Sequence, residues 1–387
     1  MTTYKRLGDY IREVNVRNRE LKVTKLVGLT IDKAFIPSVA NVIGTDLSNY
    51  KVIQREQFAC SLMQVSRDGK MPVAMFEEDE AIMSPAYPMF EVIDKTVLMP
   101  QYLMMWFSRS EFDREASYYA VGGVRGSLTW EDFCNMTFPV PSIDRQREIV
   151  EEYETLSRRI RLNEQMIEKL ESTAQALYRK MFVDDIDKEN LPEGWRMGTL
   201  GEVCSKIGSG ATPKGGKDNY ADTGVSLIRS MNVFDFNFCF DDLAHISDRQ
   251  AKILDGVSVH DKDILFNITG ASVARCCMVP NSILPARVNQ HVMIIRTQEE
   301  WMSYYLLCTL CSEDSKRSLL GMSQSGSTRE AITKAEIESF PIIIPTKEKL
   351  KDYSDKVESI FSYIDLQKQE NSKLTELQSL LLAKMGQ

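Results

Sequence analysis

Several features that often disclose an activity are missing from this sequence. Its three histidines, in 387 residues, are too few and too far apart to predict a metal site (His245, His260 and His291). No apolar run approaches the roughly 18 residues that a membrane helix requires. The start of the chain leads into a charged segment and lacks the apolar core of a signal peptide. We therefore expect a cytoplasmic protein that does not span a membrane.

Catalytic motifs are missing as well. The sequence has no Asn-Pro-Pro-Tyr/Phe tetrapeptide of the kind used on a flipped adenine, no cysteine nucleophile with a paired histidine, and no acidic cluster typical of nuclease metals. It also lacks a Gly-Lys-Ser/Thr nucleotide loop. Gly208 and Gly210 are not followed by the third glycine of a dinucleotide loop, so they predict a flexible turn. We expect no catalytic residue, metal or cofactor in this chain.

The cysteines and the net charge give weaker indications of the protein's compartment and partner. The eight cysteines are scattered, as is typical of free thiols in a reducing compartment. Cys308 and Cys311 have a metal-like spacing, but their apolar helical surroundings predict buried thiols. The net charge of −8 argues mildly against a nucleic-acid partner. A basic cleft on an acidic body would remain compatible with one.

The strongest pattern in the sequence is a heptad repeat on a long helix predicted over residues 142–182. Apolar residues there alternate at steps of four and three, which indicates a coiled-coil seam. The same pattern recurs without a gap 204 positions later. The predicted seam residues are Ile149, Leu156, Ile160, Ile167, Leu170 and Leu177 in the first copy and Val357, Ile360, Ile364, Leu374 and Leu381 in the second.

The globular parts that precede these helices also carry a repeat. LGDY at residues 7–10 resembles LGEV at 200–203, and RGSLT at 125–129 resembles REAIT at 329–333. In both copies a short apolar strand then ends at proline before the long helix begins. We predict four parts: a globular domain over 1–141, a helix over 142–185, a second globular domain over 186–345, and a helix over 346–387.

Between these repeated ends the two globular parts differ almost completely. Short apolar runs bounded by Gly, Pro, Asn and Asp predict strands with loops in both. We therefore predict an α+β protein with two mixed α/β domains. A helix of about forty residues is about 60 Å long, and its apolar seam needs a partner. The other copy is the natural partner, so the two helices are expected to pair antiparallel and to separate the domains in a pseudo-two-fold arrangement.

The chain resembles the specificity subunits of type I restriction-modification systems. In the second half the resemblance rests on LPEGW at 191–195, GSGATP at 208–213, IRSMNV at 228–233, DILFNITGAS at 263–272 and VNQH at 288–291. In the first half it rests on SPAYP at 84–88 and the region from Arg67 to Pro72. The chain departs from relatives at Val273-Ala274-Arg275 and at Lys347-Glu348-Lys349-Leu350.

This resemblance implies a non-catalytic subunit with two target recognition domains. Each would read one half of a bipartite site in double-stranded DNA. Methyltransferase subunits, two in number, and restriction subunits would dock on the long helices. S-adenosylmethionine, ATP and Mg would bind to those partners.

Residue chemistry then selects candidates for DNA contact. Arg and Lys suit phosphate and guanine, whereas Asn and Gln suit adenine. In the second domain we expect phosphate contacts from Lys214 and Lys217 and base contacts from Arg229, Ser230, Asn232, Asn289 and Gln290. In the first domain the candidates are Arg67, Lys70 and Tyr87. The matched pair Arg125 and Arg329 suits either phosphate contact or a structural bond at the helix entrance, with the structural role preferred.

Two alternatives remain open at the level of sequence. The polar seam residues Asn163, Gln367, Asn371 and Gln378 either fix the helix register or face subunits of other chains. The rival functions are a protein-binding coiled-coil scaffold, which the acidic charge favours slightly, and the specificity module of a stand-alone DNA methyltransferase.

Overall fold

The computed structural model describes residues 4–38, 44–63, 65–121, 126–212, 220–324 and 331–386. It contains both helices and sheets, so the mixed α/β prediction is confirmed. The chain forms two compact units, Met1–Leu162 with Glu370–Gln387 and Asn163–Gln369. Each long helix therefore contributes one half to each unit. The bounds of the four predicted parts stay a prediction.

Among the residues that the structure describes, the first unit contains ten short strands and the first five α-helices. The strands are β1 Tyr4–Arg6, β2 Ile11–Glu13, β3 Val27–Leu29, β4 Phe35–Pro37, β5 Lys51–Gln54, β6 Phe58–Cys60, β7 Val73–Met75, β8 Glu80–Met83, β9 Met89–Val92 and β10 Thr137–Pro139. The helices are α1 Val65–Asp68, α2 Pro100–Phe107, α3 Ser110–Ala120, α4 Trp130–Asn135 and α5 Ile143–Phe182, which continues into the second unit.

The main sheet of the first unit has the strand order β2-β9-β6-β7, and all its neighbours are antiparallel. Two-stranded pairs β3–β4, β5–β8 and β1–β10 accompany it. Aromatic rings fill the space between sheet and helices: Phe58 stacks on Phe90 at 5.0 Å, and Phe107 meets Phe112 at 4.9 Å. These large rings remove much apolar surface from water, which is the main stabilising contribution to such a core.

The described part of the second unit contains a further ten strands and six α-helices. The strands are β11 Arg196–Thr199, β12 Cys204–Ser209, β13 Val225–Ile228, β14 Ala244–Ile246, β15 Ser258–Val259, β16 Ile264–Asn267, β17 Cys276–Met278, β18 Ala286–Val288, β19 Val292–Thr297 and β20 Pro341–Ile344. The helices are α6 Leu200–Val203, α7 Asp248–Ile253, α8 Ser303–Cys311, α9 Glu313–Gln324, α10 Lys334–Glu338 and α11 Lys347–Lys384, which ends in the first unit.

Two four-stranded sheets organise the second unit. One has the antiparallel order β12-β19-β16-β17. The other has the order β14-β13-β18-β15, in which β13 and β18 run parallel. Strands β16, β18 and β19 are almost entirely buried. A buried ion pair supports this core, since Asp263 is inaccessible and receives two bonds from Arg296 at 2.7 and 2.8 Å.

The repeat seen in the sequence corresponds to the same strand pairing in each unit, between the first and the last strand. Strand β1 pairs antiparallel with β10, and β11 pairs antiparallel with β20. The amide of Leu7 donates to the carbonyl of Met136 at 2.8 Å, and the amide of Leu200 donates to that of Phe340 at 3.0 Å. Each unit thus joins its first strand to the strand that precedes a long helix.

Close packing explains the glycine that follows each of these leucines. A Cβ on Gly8 would lie 2.9 Å from the Cβ of Cys134 in α4, and one on Gly201 would lie 3.0 Å from the carbonyl of Glu338 in α10. Real Cβ atoms rarely or never come that close to another heavy atom. The Leu-Gly repeat therefore marks a position where the backbone packs closely against a helix, and a larger residue there would force the two segments apart.

The long helices predicted from the heptads are present as α5 and α11. Within the first unit they run antiparallel. Gln378 donates to the Ser157 hydroxyl at 2.7 Å, and Arg159 forms two bonds of 3.0 Å with the Glu370 carboxylate. The Gln378 bond is an interhelical contact of the kind that fixes register, so this residue fits the first of its two predicted roles.

Within the second unit the other halves of the same helices also run antiparallel. The hydroxyl of Tyr353, fully buried, donates to the carbonyl of Ala174 at 3.2 Å, and Lys368 lies 3.7 Å from the Glu171 carboxylate. None of the predicted seam residues is exposed: Val357 and Ile364 are buried, and the others are half-buried. Pairing as one continuous coiled coil remains a prediction.

Candidate nucleic-acid interface

In the second unit, four loops meet at one edge of the sheets. Strands β13 and β18 are parallel, so their carboxyl ends lie together, and the amide of Asn289 donates to the carbonyl of Ile228 at 3.0 Å. The loop after β12 joins them, because the Gly210 amide donates to the Asn289 carbonyl at 3.1 Å. The loop after β16 joins through a 3.0 Å bond from the Ile268 amide to the His291 carbonyl.

We call this region the loop edge. Its side chains come from all four loops and include Thr212, Arg229, Ser230, Thr269, Gln290 and His291. Loop side chains held by rigid strands are a common basis for binding. The fold therefore brings together residues that lie far apart in the sequence.

A chain of side-chain hydrogen bonds crosses the loop edge. Thr212 bonds to the amide oxygen of Gln290, the Gln290 nitrogen lies 3.0 Å from His291 Nε2, and Thr269 lies 2.8 Å from His291 Nδ1. Gln290 is exposed, whereas His291 and Thr269 are half-buried. This arrangement orients an exposed amide, which is the group that pairs with adenine in a DNA groove.

Arg229 is the cation of the loop edge. Its guanidinium donates to the Asp242 carbonyl and lies 5.7 Å from the ring of Tyr220. Within the part of the chain that the structure describes, its Nε is buried without an acceptor. A buried donor of this kind calls for a partner that would complete its bonding. Ser230 beside it is half-buried and accepts a 2.9 Å bond from Asn267 through its carbonyl.

Asn232 does not fit the predicted role of base contact. It is completely buried. Its side-chain oxygen accepts from the Arg229 amide at 3.0 Å, and its nitrogen donates to the carbonyls of Cys239 and Asp241 at 3.0 and 3.1 Å. The side chain is therefore committed to holding the loop after β13. Burial, which the residue type alone cannot reveal, is the reason for this correction.

Asn289 is also buried, and its side-chain oxygen accepts a 3.0 Å bond from the His291 amide. It shapes the turn that presents Gln290. The prediction of base contact is not tested for Arg229, Ser230 or Gln290, which stay candidates. Lys214 and Lys217 lie outside the described residues, as do Arg125 and Arg329.

Sequence reasoning missed several members of the loop edge. His291 bonds directly to Thr269 and to Gln290, and Gln290 in turn accepts from Thr212. The guanidinium of Arg275 lies 4.9 Å from the Phe234 ring. In the sequence, only the position of His291 directly after Gln290 indicated that one of these residues belongs to the site. The contacts of Thr212 and Thr269 arise from loops that only the folded sheets bring together.

The predicted turn at Gly208 and Gly210 needs correction as well. Gly208 lies within β12, paired with Ile294 of β19. A Cβ on Gly210 would lie 1.7 Å from the Val288 carbonyl oxygen. Gly210 thus permits a backbone crossing and does not supply flexibility.

Two of the three first-unit candidates, Lys70 and Tyr87, lie against the β3–β4 hairpin. Lys70 is exposed and pairs at 3.3 Å with Asp32 in the hairpin turn. Tyr87 is half-buried in the cluster that includes Leu29 and Phe35 of the hairpin strands. Arg67, in α1, is exposed and pairs at 2.7 Å with Asp68. The surface cations of this group are engaged in exposed ion pairs, which are weak and readily exchanged for phosphate.

The residues that the structure describes bear on two other classes of site, metal sites and membrane spans. The one group with ligand atoms close enough for a metal is Asp235, Cys276 and Cys311. Lys316 pairs with Asp235 at 2.5 Å and approaches Cys276 at 3.9 Å, so an ammonium already supplies positive charge there. Among the same residues, no helix combines the length and apolar character needed to cross a bilayer.

In the second unit, two sheets present polar loop ends at one edge, and a long helix follows them. Residues 192–376 match the family model described as the type I restriction modification DNA specificity domain. That match covers the sheets of the second unit and most of α11.

Relatives extend the likeness to most of the chain. The chain is 22% identical over 312 residues to the type I restriction enzyme MjaIX specificity subunit of Methanocaldococcus jannaschii, covering 76% of this chain and 70% of the relative. It is 20% identical over 379 residues to the type I restriction enzyme HindI specificity subunit of Haemophilus influenzae, covering 79% and 81%.

A solved structure shares the fold. The type I restriction-modification S subunit from M. genitalium superposes with a TM-score of 0.60 at 13% identity, covering 100% of this chain and 96% of that one. Over residues 192–376 the chain is similar to the type I restriction modification DNA specificity domain, and over most of its length it is similar to type I specificity subunits.

Proposed function

We propose that this protein reads an asymmetric bipartite DNA target, with one half-site for each of its two globular domains, and performs no catalysis itself. The observation that carries the proposal is the loop edge. There the Asn289 amide bonds to the Ile228 carbonyl beside Arg229, and Gln290 bonds to His291. Matched frameworks with unlike loops support two readers of different sequence. Adenine methylation with S-adenosylmethionine and cleavage with ATP and Mg would belong to partner chains.

The two long helices would pair along their length and set the spacer between the half-sites. Antiparallel contacts within each unit support this role, as in Ser157–Gln378 and Ala174–Tyr353. Affinity for DNA should fall steeply with salt, because several phosphates must be neutralised.

The test is single-molecule mapping of methylated adenines in cells with and without this gene. The expected result is a motif with two different half-sequences and a fixed spacer that vanishes on deletion. A continuous or palindromic motif would contradict the proposal. Footprinting of the assembled complex excludes the scaffold alternative, since a pure scaffold protects no DNA. Adenine methylation by the purified single chain would instead support a stand-alone methyltransferase.

The helices also offer a surface for a methyltransferase subunit. In the first unit a cleft of about 550 Å³ is lined by Glu148, Glu151 and Glu152 of α5 and by Leu377 and Leu380 of α11. The two leucines are 48% and 52% exposed. An apolar floor with an acidic rim suits a partner that presents apolar side chains among Lys or Arg.

Co-purification with the methyltransferase subunit tests this surface. Leu377→Asp with Leu380→Asp should abolish assembly, because the carboxylates would be buried unpaired in the interface. Leu320→Asp is the matched control, since Leu320 is a similarly exposed leucine on α9. Undiminished assembly of the double variant would place the partner elsewhere. We expect two such subunits and, in addition, restriction subunits in the complete assembly.

A further inference from the structure

Two cysteine sulfurs lie in contact inside the second unit. Cys276 Sγ is 3.3 Å from Cys311 Sγ. Cys276 begins β17 and is fully buried, whereas Cys311 ends α8 and is half-buried. A disulfide has its sulfurs about 2.05 Å apart, so closure requires an approach of about 1.2 Å. Although Cys308 and Cys311 are neighbours in the sequence, the fold pairs Cys311 with Cys276.

The surroundings distinguish the two thiols chemically. The hydrogen bond with Cys311, followed by the nearby Lys316 ammonium, lowers the pKa of Cys276 despite its burial. Burial raises the pKa of Cys311 well above its ordinary value. The Lys316 ammonium, 3.9 Å from Cys276 Sγ, favours the thiolate form of Cys276. The thiolate is the nucleophilic form of cysteine.

Other cysteines of the chain lack this environment. Burial raises the pKa of Cys308 and of Cys204 to about 12. Burial likewise raises the pKa of Cys277, the direct neighbour of Cys276. These residues are expected to behave as inert core thiols.

One sulfur of the pair, that of Cys311, lines a cleft, and the buried Cys276 sulfur lies 3.3 Å behind it. Cys311 lines a cleft of about 600 Å³ together with Gln175, Arg179, Phe236 and Asp314. The cleft is open enough for a diffusible oxidant of a few atoms. Lys316, which bonds to Asp235 at 2.5 Å, holds positive charge beside the sulfurs. The same ammonium competes with any divalent cation for Asp235 and Cys276, which favours thiol chemistry over a metal here.

We propose that Cys276 and Cys311 form an oxidation site, at which hydrogen peroxide converts the two thiols into an intramolecular disulfide between β17 and α8. The Cys276 thiolate attacks one peroxide oxygen, the O–O bond breaks, and the departing hydroxide takes a proton to become water. The sulfur of Cys311, losing its proton, then attacks the sulfenic sulfur of Cys276. The S–S bond forms, the S–O bond breaks, and a second water leaves. The two thiols lose two electrons and two protons, which reduce the peroxide.

The site lies one residue from the loop edge. Arg275 precedes Cys276 directly, and Lys316 also bonds to the carbonyl of Ala274. In a reducing cytoplasm such a pair stays reduced until an oxidant arrives, which is the usual setting of a redox-sensing disulfide. The proposal concerns the thiols of this chain and stands independently of what the loop edge binds.

The test uses the reduced full-length chain treated with stoichiometric hydrogen peroxide, followed by alkylation and mass spectrometry. Of the eight cysteines, all of them free in the reduced chain, six should remain alkylable, since two are consumed. A non-reducing peptide map should show the Cys276–Cys311 link, and dithiothreitol should remove it. Eight alkylable thiols after peroxide, or a link between other cysteines, would overturn the proposal.

Variants separate the roles of the two sulfurs. Cys311→Ser should abolish the link and leave a sulfenic acid on Cys276 that dimedone traps. Cys308→Ser, one turn earlier on α8, is the matched control and should keep the link. Circular dichroism of each reduced variant checks that the fold is retained, and Cys311→Ala provides a second variant. Loss of the link in the Cys308 control would contradict the assigned pair.

Discussion

The carbonyl oxygen of Val288 lies 1.7 Å from the position that a Cβ on Gly210 would occupy. The backbone after β12 therefore passes directly over the end of β18, and the Gly210 amide bonds to the carbonyls of Asn289 and Val292 at 3.1 and 3.3 Å. This crossing fixes the loop that carries Thr212 against the turn that carries Gln290.

Gly210→Ala should consequently distort the loop edge, because the added methyl collides with rigid backbone. We expect lower thermal stability and loss of sequence preference in the half-site read by the second unit. Gly208→Ala is the matched control, since a Cβ there would meet no atom within 4 Å. Circular dichroism melting and methylome mapping measure both effects. Equal behaviour of the two variants would show that the crossing is not constrained.

Asn232→Ala should destabilise the second unit by about 1–3 kcal/mol, because the backbone groups bonded to its buried amide lose their partners. Urea unfolding measures this change. Gln290→Ala, at an exposed position, should leave stability within about 0.5 kcal/mol but alter the preferred base. A variant of Asn232 with full stability and altered base preference would restore its predicted role as a reader.

Ile364→Ala should cost about 2–5 kcal/mol of unfolding free energy, because Ile364 is only 2% exposed in the predicted seam and truncation leaves a cavity. Leu366→Ala, two residues later on the same helix and 58% exposed, should change stability by no more than about 0.5 kcal/mol. Chemical denaturation of both variants provides the comparison. Similar losses at both positions would mean that the seam is wrongly assigned.

Insertion of one heptad into each long helix tests the proposed spacer. Seven residues lengthen a helix by about 10 Å while keeping the seam in phase. The preferred DNA spacer should grow by about three base pairs at about 3.4 Å each. Methylome mapping of the variant gives the answer directly. An unchanged spacer would show that the helices do not set the distance between the half-sites.

Part of this architecture could be predicted from the sequence because it depends on periodic or repeated residues. The heptads predict α5 and α11, since a four-three alternation of apolar residues has one regular solution as a helix. The matched Leu7-Gly8 and Leu200-Gly201 indicate a duplicated framework, which the equivalent bonds of Leu7 and Leu200 bear out. The candidates at Arg229 and Gln290 follow from residue chemistry together with the family resemblance.

Tertiary structure decided the rest. Arg229, Asn232 and Gln290 are equally plausible readers by residue type, yet burial commits Asn232 to the loop and leaves Gln290 exposed. The contacts of His291 with Thr269 and of Cys276 with Cys311 join residues distant in the chain. A local sequence pattern indicates helix or strand propensity and periodicity. The contacts between distant residues depend instead on strand order and packing. The sequence by itself therefore determined the long helices and the duplication, and the packed sheets determined which side chains meet.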